Sequence, residues 1–226
     1  MHSALRFDTG RAQTEIRVRI PRRRTLSDPV ARRLQAGQHL FHERDPAYFV
    51  YRIVSGVVRL TRLQKDGRRQ VIAFGFPGDV IGLPADGRHT TECDAISPCE
   101  VLAHRCTNLM QPERDPDLNR FLMQAALDHI RFLQDHFLML GRRLALEKTA
   151  AFLALLLDRI GEPLGAYRIV RLPMNRSDIA DYLGLTPETV SRAVTELRAH
   201  KVLALDDANT VIVLDAAALR ELADGA

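Results

Sequence analysis

Cysteine is scarce in this chain of 226 residues: there are three, Cys93, Cys99 and Cys106. No two of them form a C-x-x-C pair and the number is odd, which argues against a disulfide framework. They fall on alternating segments that look like strands, where buried cysteines serve as small apolar fillers. Long apolar runs are also missing. The longest, 150–157, is far short of the ~20 residues that a membrane helix needs. The first residues show no basic-then-apolar signal peptide. A chain with neither feature is expected in the cytoplasm, with no membrane partner. Acidic charge is in mild deficit, 28 residues against 32 basic ones, which gives a net charge of +4. That surplus leans toward a polyanionic partner. It is steepest before Leu34, where nine arginines face only Asp8, Glu15 and Asp28. Residues 1–27 carry no lasting periodicity and read as a basic flexible tail. Within it Ile16–Ile20 offers a short strand, and Arg22–Arg24 a patch for DNA or a partner.

What is present is a real core: the hydrophobic share is 46%, that of an ordinary soluble protein. The length suits one large or two modest domains. From Ala36 to Arg105 the pattern is one of short strands rich in β-branched and aromatic residues. Ser55-Gly56 and Asp66-Gly67 sit between apolar runs and read as hairpin turns. Strands at such spacing predict a jelly roll or barrel. Pro112 and Pro116 mark a boundary, after which Leu118 to about Ile160 is helical. Ala126, Ile130, Leu133, Phe137, Leu140 and Leu144 repeat as a heptad seam. Leu118, Phe121, Ala125, Phe132 and Met139 make a second stripe. One stripe is expected on the strand-rich part and the other on a partner chain. A second amphipathic helix ends at Gly161. Tyr167–Met174 reads as a strand, Val202–Leu214 as a hairpin around Asp207–Asn209, and residues 215–226 as a last short helix.

The stretch Met174–Lys201 reads as two helices joined by a tight turn. Asn175 or Ser177 caps the first, and Ile179, Ala180 and Leu183 give it an apolar side. Gly184 breaks it with the positive φ that a sharp turn needs. Leu185 points back into the core. Thr186 is the second N-cap, Pro187 the first helical residue, and Glu188 sits in the first turn. Val190, Val194 and Leu197 mark the buried face of the second helix. The opposite face offers Glu188, Ser191, Arg192, Thr195 and Arg198. This is a helix-turn-helix, whose second helix enters the DNA major groove. Arg192 can donate two hydrogen bonds to guanine, Glu188 can accept from cytosine N4, and Ser191 can reach either type of base edge. Thr186, Thr189 and Arg176 are placed to bond phosphates, which fixes register without reading sequence.

The run D-I-A-D-Y-L-G-L-T-P-E-T-V-S-R, residues 178–192, resembles the recognition motif of the Crp–Fnr superfamily of bacterial transcription regulators, in its FixK-type form. Glu188 to Arg192 matches the Glu-x-x-Ser-Arg pattern that Fnr- and FixK-type proteins use on TTGA half-sites. The resemblance extends over nearly the whole chain. It implies an α+β fold with four parts: the tail 1–27, a β-roll of the cyclic nucleotide-binding kind over 28–113, a dimerisation helix over 114–142, and a winged helix-turn-helix over 143–226. It also implies a homodimer through Ala126, Ile130, Leu133, Phe137 and Leu140. The dimer would act on double-stranded DNA, as an activator that touches RNA polymerase at genes of low-oxygen, nitrogen or respiratory metabolism.

Two of the family's ligands lack their residues. Members that bind cyclic AMP carry Gly-Glu and an Arg-Ser or Arg-Thr pair in the segment matching Pro77–Thr91. Here Pro84 and Ala85 stand where the acid is expected, and only Arg88 and Thr90 resemble the phosphate pair. Members with an iron–sulfur cubane need four cysteines, and the chain has three, of which only Cys99 lies near a ligand position. No cofactor or metal is therefore expected. A second reading keeps the DNA-binding architecture and gives the β-roll a haem, nitric oxide or other small effector, with His89, His104, His129 and His136 as possible axial ligands. A third is a cupin-like metal enzyme. His39 and His42, three residues apart at a strand edge, do not fit the metal set that it would need, so a non-enzyme is expected.

Overall fold

The computed structural model describes residues 29–84, 86–106, 113, 115–142 and 144–225. The tail with Ile16–Ile20 and Arg22–Arg24, together with Ala85 and Pro112, lies outside the described residues.

Eight strands come first: β1 (Val30–Leu34), β2 (His39–Phe41), β3 (Phe49–Ser55), β4 (Val58–Leu63), β5 (Arg69–Gly75), β6 (Val80–Ile81), β7 (Glu92–Ala95) and β8 (Cys99–Arg105). They form two four-stranded antiparallel sheets, ordered β1-β8-β3-β6 and β2-β7-β4-β5. The alternating inward residues of both sheets, among them Tyr51, Ile53, Leu60, Ala73, Cys93 and Val101, share one core. This is the expected roll. Asp66-Gly67 does close a hairpin, with Leu63 opposite Arg69. Ser55-Gly56 does not, because β3 and β4 lie in different sheets. Gly56 (φ 80°) carries the chain across, and a Cβ there would fall 2.2 Å from the Pro98 carbonyl oxygen. The residue pair marks a turn, but the strands' pairing partners are decided elsewhere.

Helix α1 (Pro116–Leu140) starts on Asp115, whose carboxylate accepts the Leu118 N–H at 3.0 Å. Its inner face differs from the expected stripe. Phe121 is exposed, and the Arg52 guanidinium lies 5.7 Å from its ring centroid. Leu122 is fully buried instead, against Val50 and Val80. Leu118, Leu122, Ala125, His129, Phe132, His136 and Met139 thus form a second seam at four-three spacing. The histidines at two of its positions disguised the repeat. The first seam is uncovered: Ile130, Leu133, Phe137 and Leu140 are exposed and Ala126 is half-buried.

Helix α2 (Ala145–Ile160) buries Ala150, Phe152, Leu153, Leu156 and Leu157 along one face and forms the spine of the C-terminal part. Strands β9 (Glu162–Leu164) and β10 (Tyr167–Arg171) precede helices α3 (Arg176–Leu183) and α4 (Pro187–Ala199). Strands β11 (Leu203–Leu205) and β12 (Thr210–Val213) and helix α5 (Ala216–Asp224) complete the chain. The sheet order β11-β12-β10-β9 with four helices packed on a shared core is a winged helix. Among the described residues, no helix is long and apolar enough to cross a membrane.

Candidate nucleic-acid interface

The two helices of the motif are set by their caps. The Asn175 side chain, and not that of Ser177, accepts the Asp178 N–H at 2.8 Å. Gly184 adopts the left-handed conformation (φ 63°) and ends α3. Thr186 Oγ1 accepts the Thr189 N–H at 3.2 Å and lies 2.9 Å from the Thr189 hydroxyl. Pro187 then opens α4. Val190, Ala193, Val194 and Leu197 are buried against α2, α3 and the sheet. That burial fixes the rotation of α4 and turns Glu188, Ser191, Arg192, Thr195 and Arg198 to solvent.

The exposed face is unspent. Glu188 and Arg192 stand one helical turn apart, yet among the described residues neither has a hydrogen-bond or ion-pair partner. A carboxylate there accepts only and a guanidinium donates only, which is the equipment that base edges need. Ser191 donates its hydroxyl proton to the Pro187 carbonyl at 2.8 Å, leaving its oxygen as an acceptor. Arg176, at the start of α3, is half-buried. Its Nη2 donates to the Ala208 carbonyl at 3.3 Å, on the turn between β11 and β12, while its buried Nη1 has no protein partner. Burial lowers its pKa from the usual arginine value. The same turn is tied by Asp207, whose carboxylate is lowered by accepting the Asn209 N–H and the Thr210 hydroxyl.

One group of residues in this region went unread in the sequence. The Arg59 guanidinium on β4 holds Asp94 through two hydrogen bonds (2.8 and 3.1 Å) and reaches Asp178 on α3 at 2.5 Å. Arg69 on β5 adds bonds to Asp178 (2.6 Å) and Asp181 (3.2 Å). The Gln70 side chain donates to the Asp181 carbonyl. Burial opposes the charge of Arg59, but Asp94 and Asp178 hold its pKa above the usual value. The His136 ring stacks on Tyr182 at 3.9 Å, and Phe74 of β5 meets Tyr182 in a tilted contact at 5.3 Å. The β-roll therefore grips α3 through a desolvated ionic lock and an aromatic cluster. Asp178 lies inside the motif itself, but its partners are over a hundred residues away.

Comparison with known proteins agrees with this architecture. The description of a Crp-like helix-turn-helix domain matches residues 147–222, and that of a cyclic nucleotide-binding domain matches residues 31–110. The nitrogen fixation regulation protein FixK of Rhizobium meliloti is 39% identical, covering 82% of this chain and 83% of its own. FixK of Bradyrhizobium diazoefficiens is 40% identical, over 83% and 79%. The solved structure of FixK2 from Bradyrhizobium japonicum matches at a TM-score of 0.77 and 34% identity, over 86% of this chain and 96% of that one. The chain belongs to the Crp–Fnr family and is most like its FixK branch. As a Crp–Fnr protein it is a DNA-binding transcription regulator.

The Crp–Fnr β-roll invites a test for the family's ligands. Beneath α1 lie two cavities, of about 290 and 200 Å³. Typical ligand pockets span roughly 300–1,000 Å³. The smaller cavity is lined by Ile81, Gly82, Leu83, His89 and His129 among others, and no carboxylate lines it to take a ribose. Arg88 turns outward and donates to the Arg44 carbonyl at 2.7 Å, and it does not line the smaller cavity. The smaller cavity thus offers neither the carboxylate nor the cation that a cyclic nucleotide takes. Burial lowers the pKa of both His89 and His129, which keeps the cavity wall neutral. The cysteines are in no better position to hold a cluster. Burial pushes the Cys93 and Cys99 thiols up, and Cys106 up to about 11. Cys99 is held against the carbonyls of Val57 and Ser97. A raised thiol pKa disfavours the thiolate that iron binds, and among the described residues no cysteine joins a metal-ligating group.

Proposed function

We propose that two copies of this chain bind a two-fold symmetric site of TTGA–spacer–TCAA form and activate transcription there. One observation carries the reading: α4 presents an unpaired Glu188 and Arg192 on a face that the fold leaves bare. In this reading Arg192 donates to guanine O6 and N7, Glu188 accepts from cytosine N4, and Ser191 takes an exposed base amino group. Thr186, Thr189 and Arg176 bond phosphates, with Arg176 also steadying the wing. Ala126, Ile130, Leu133, Phe137 and Leu140 meet their own copies across the dyad. The dyad sets two α4 helices in successive major grooves, about 34–36 Å apart.

The division into a tail (1–27), β-roll (28–113), dimerisation helix (114–142) and winged helix (143–226) belongs to the same proposal. So do contact with RNA polymerase, a cytoplasmic location, and control of low-oxygen, nitrogen or respiratory genes. The protein works as a regulator and not as an enzyme, without cyclic AMP or an iron–sulfur cluster, so its abundance sets its activity. Selection of bound DNA from a random pool tests the reading, with the absorbance of the purified protein recorded alongside. A TTGA–TCAA consensus and no visible band are expected. A TGTGA-type consensus would refute the assignment of base readers, and a Soret or charge-transfer band would refute the cofactor-free β-roll.

A further inference from the structure

The edge strand β2 and the turn after it hold His39 and His42. In a regular strand, residues three apart point to opposite faces, which is why this pair reads as unfit to share a ligand. The structure breaks that regularity. The register of β2 against β7 shifts between His39 and Phe41. With this irregularity Phe41 turns into the core and both histidines turn outward. Bulges of this kind re-aim side chains, and they are common beside functional sites. Both imidazoles now converge on Glu92 of β7. Nδ1 of His39 lies 2.8 Å from Glu92 Oε1, and Nδ1 of His42 lies 3.6 Å from the same oxygen. The rings stack with centroids 4.7 Å apart.

We propose that His39, His42 and Glu92 form a binding site for a divalent transition-metal ion of the Zn²⁺ class. The three ligand atoms already lie within 4.8 Å of one another. An ion about 2.0–2.2 Å from each donor asks only for a small rotation of exposed side chains. Two imidazoles and one carboxylate suit Zn²⁺, Ni²⁺ or Cu²⁺, whereas Ca²⁺ and Mg²⁺ take oxygen donors. The support is stiff. The Asp45 carboxylate accepts the His42 N–H at 2.9 Å, and the Asp45 N–H donates back to the His42 carbonyl. Three protein ligands leave one position for water or a fourth group. A bound ion would clip the His42–Asp45 turn and β2 onto β7. That turn is also backbone-bonded to His89, whose ring stacks on Phe41 at 3.8 Å in the wall facing α1. The ion would therefore stiffen the β-roll on the side that supports the long helix.

The test is a Zn²⁺ titration of the tag-free, full-length, chelator-stripped protein against a chromophoric competitor. One ion per chain is expected, with a rise in melting temperature as the ion binds. The variants are Glu92→Gln and the double variant His39→Ala with His42→Ala. Each should bind at least about tenfold more weakly, since even outer-shell changes cost that much. Their melting in EDTA should match the parent, because none of the three side chains belongs to the core. Electron paramagnetic resonance of the Cu²⁺ form should show coupling to two nitrogens in the parent and lose it in the double variant. No bound Zn²⁺ in the parent, or equal binding by both variants, overturns the proposal. If Glu92→Gln melts early in EDTA, the histidine variant decides alone.

Discussion

Helices α1 and α4 each bury one face and leave the other bare, and the two bare faces differ in kind. On α1 it is apolar: Ile130 is 51% exposed and Phe137 78%. On α4 it carries Glu188, Ser191, Arg192, Thr195 and Arg198. Apolar surface in water costs free energy, roughly 25 cal/mol per Å², that only another apolar surface recovers. Unpaired donors and acceptors are already well solvated, and they gain only from a partner that presents matched polar groups. The lesson is that an uncovered face limits its partner by its chemistry; the proposed reading puts a second copy on α1 and base edges on α4. Between them the Arg59–Asp178 lock holds α3, and with it α4, against the β-roll.

The largest effect should follow from spoiling the apolar face. Leu133→Glu places two like charges across the dyad, and each buried ion costs several kcal/mol. The dimer and specific DNA binding should disappear together in light scattering and mobility-shift assays. A variant that stays dimeric would show that α1 pairs through some other face. Next comes the lock between the two halves. Asp178→Ala leaves Arg59 and Arg69 without their shared carboxylate, at a cost of about 3–5 kcal/mol. Chemical denaturation should register that loss, and a change below about 1 kcal/mol would mean that the lock is solvated in solution.

Smaller effects test the polar face. Arg192→Ala should remove about 1–3 kcal/mol of discrimination at one guanine while nonspecific binding persists. Glu188→Ala should relax preference at the base pair that it reads. If Arg192→Ala alters only the salt dependence, α4 is rotated from the assigned pose. The smallest change is expected for Arg176→Ala. Affinity should fall by a similar factor on matched and scrambled DNA, and the slope of log affinity against log salt should shrink by about one ion's worth. A changed base preference in this variant would move Arg176 from the phosphates to the base edges.

How far these features were legible depends on the length scale of the interactions that make them. The cap at Thr186, the break at Gly184 and the start at Pro187 rest on residues a few positions apart, so the local sequence specifies them; the first cap it left between Asn175 and Ser177, and the fold uses Asn175. The faces of α4 follow from helical period and a contrast between apolar and charged side chains. The exposed seam of α1 follows in the same way. The inner seam was half legible. Two of its positions are histidines, and His136 is tolerated there because it stacks on Tyr182 and its Nε2 meets the Tyr182 carbonyl oxygen at 3.0 Å.

Other features belong to tertiary structure alone. Ser55-Gly56 reads as a hairpin until sheet pairing sends β3 and β4 to different sheets. His39 and His42 read as opposed until an irregularity in the pairing with β7 turns them to one side, and Glu92 joins them from fifty residues on. Nothing in the sequence singles out Asp178, and only the fold brings Arg59 and Arg69 to it. The sequence by itself determined the helix-turn-helix and the bare face of its second helix, because hydrogen bonds within a turn and the period of a helix are properties of neighbours. Only the tertiary structure decided where the roll crosses between sheets, which ions bind the two halves together and which side chains gather on Glu92. Those outcomes depend on strand register and on the packing of distant segments, which no short window of sequence contains.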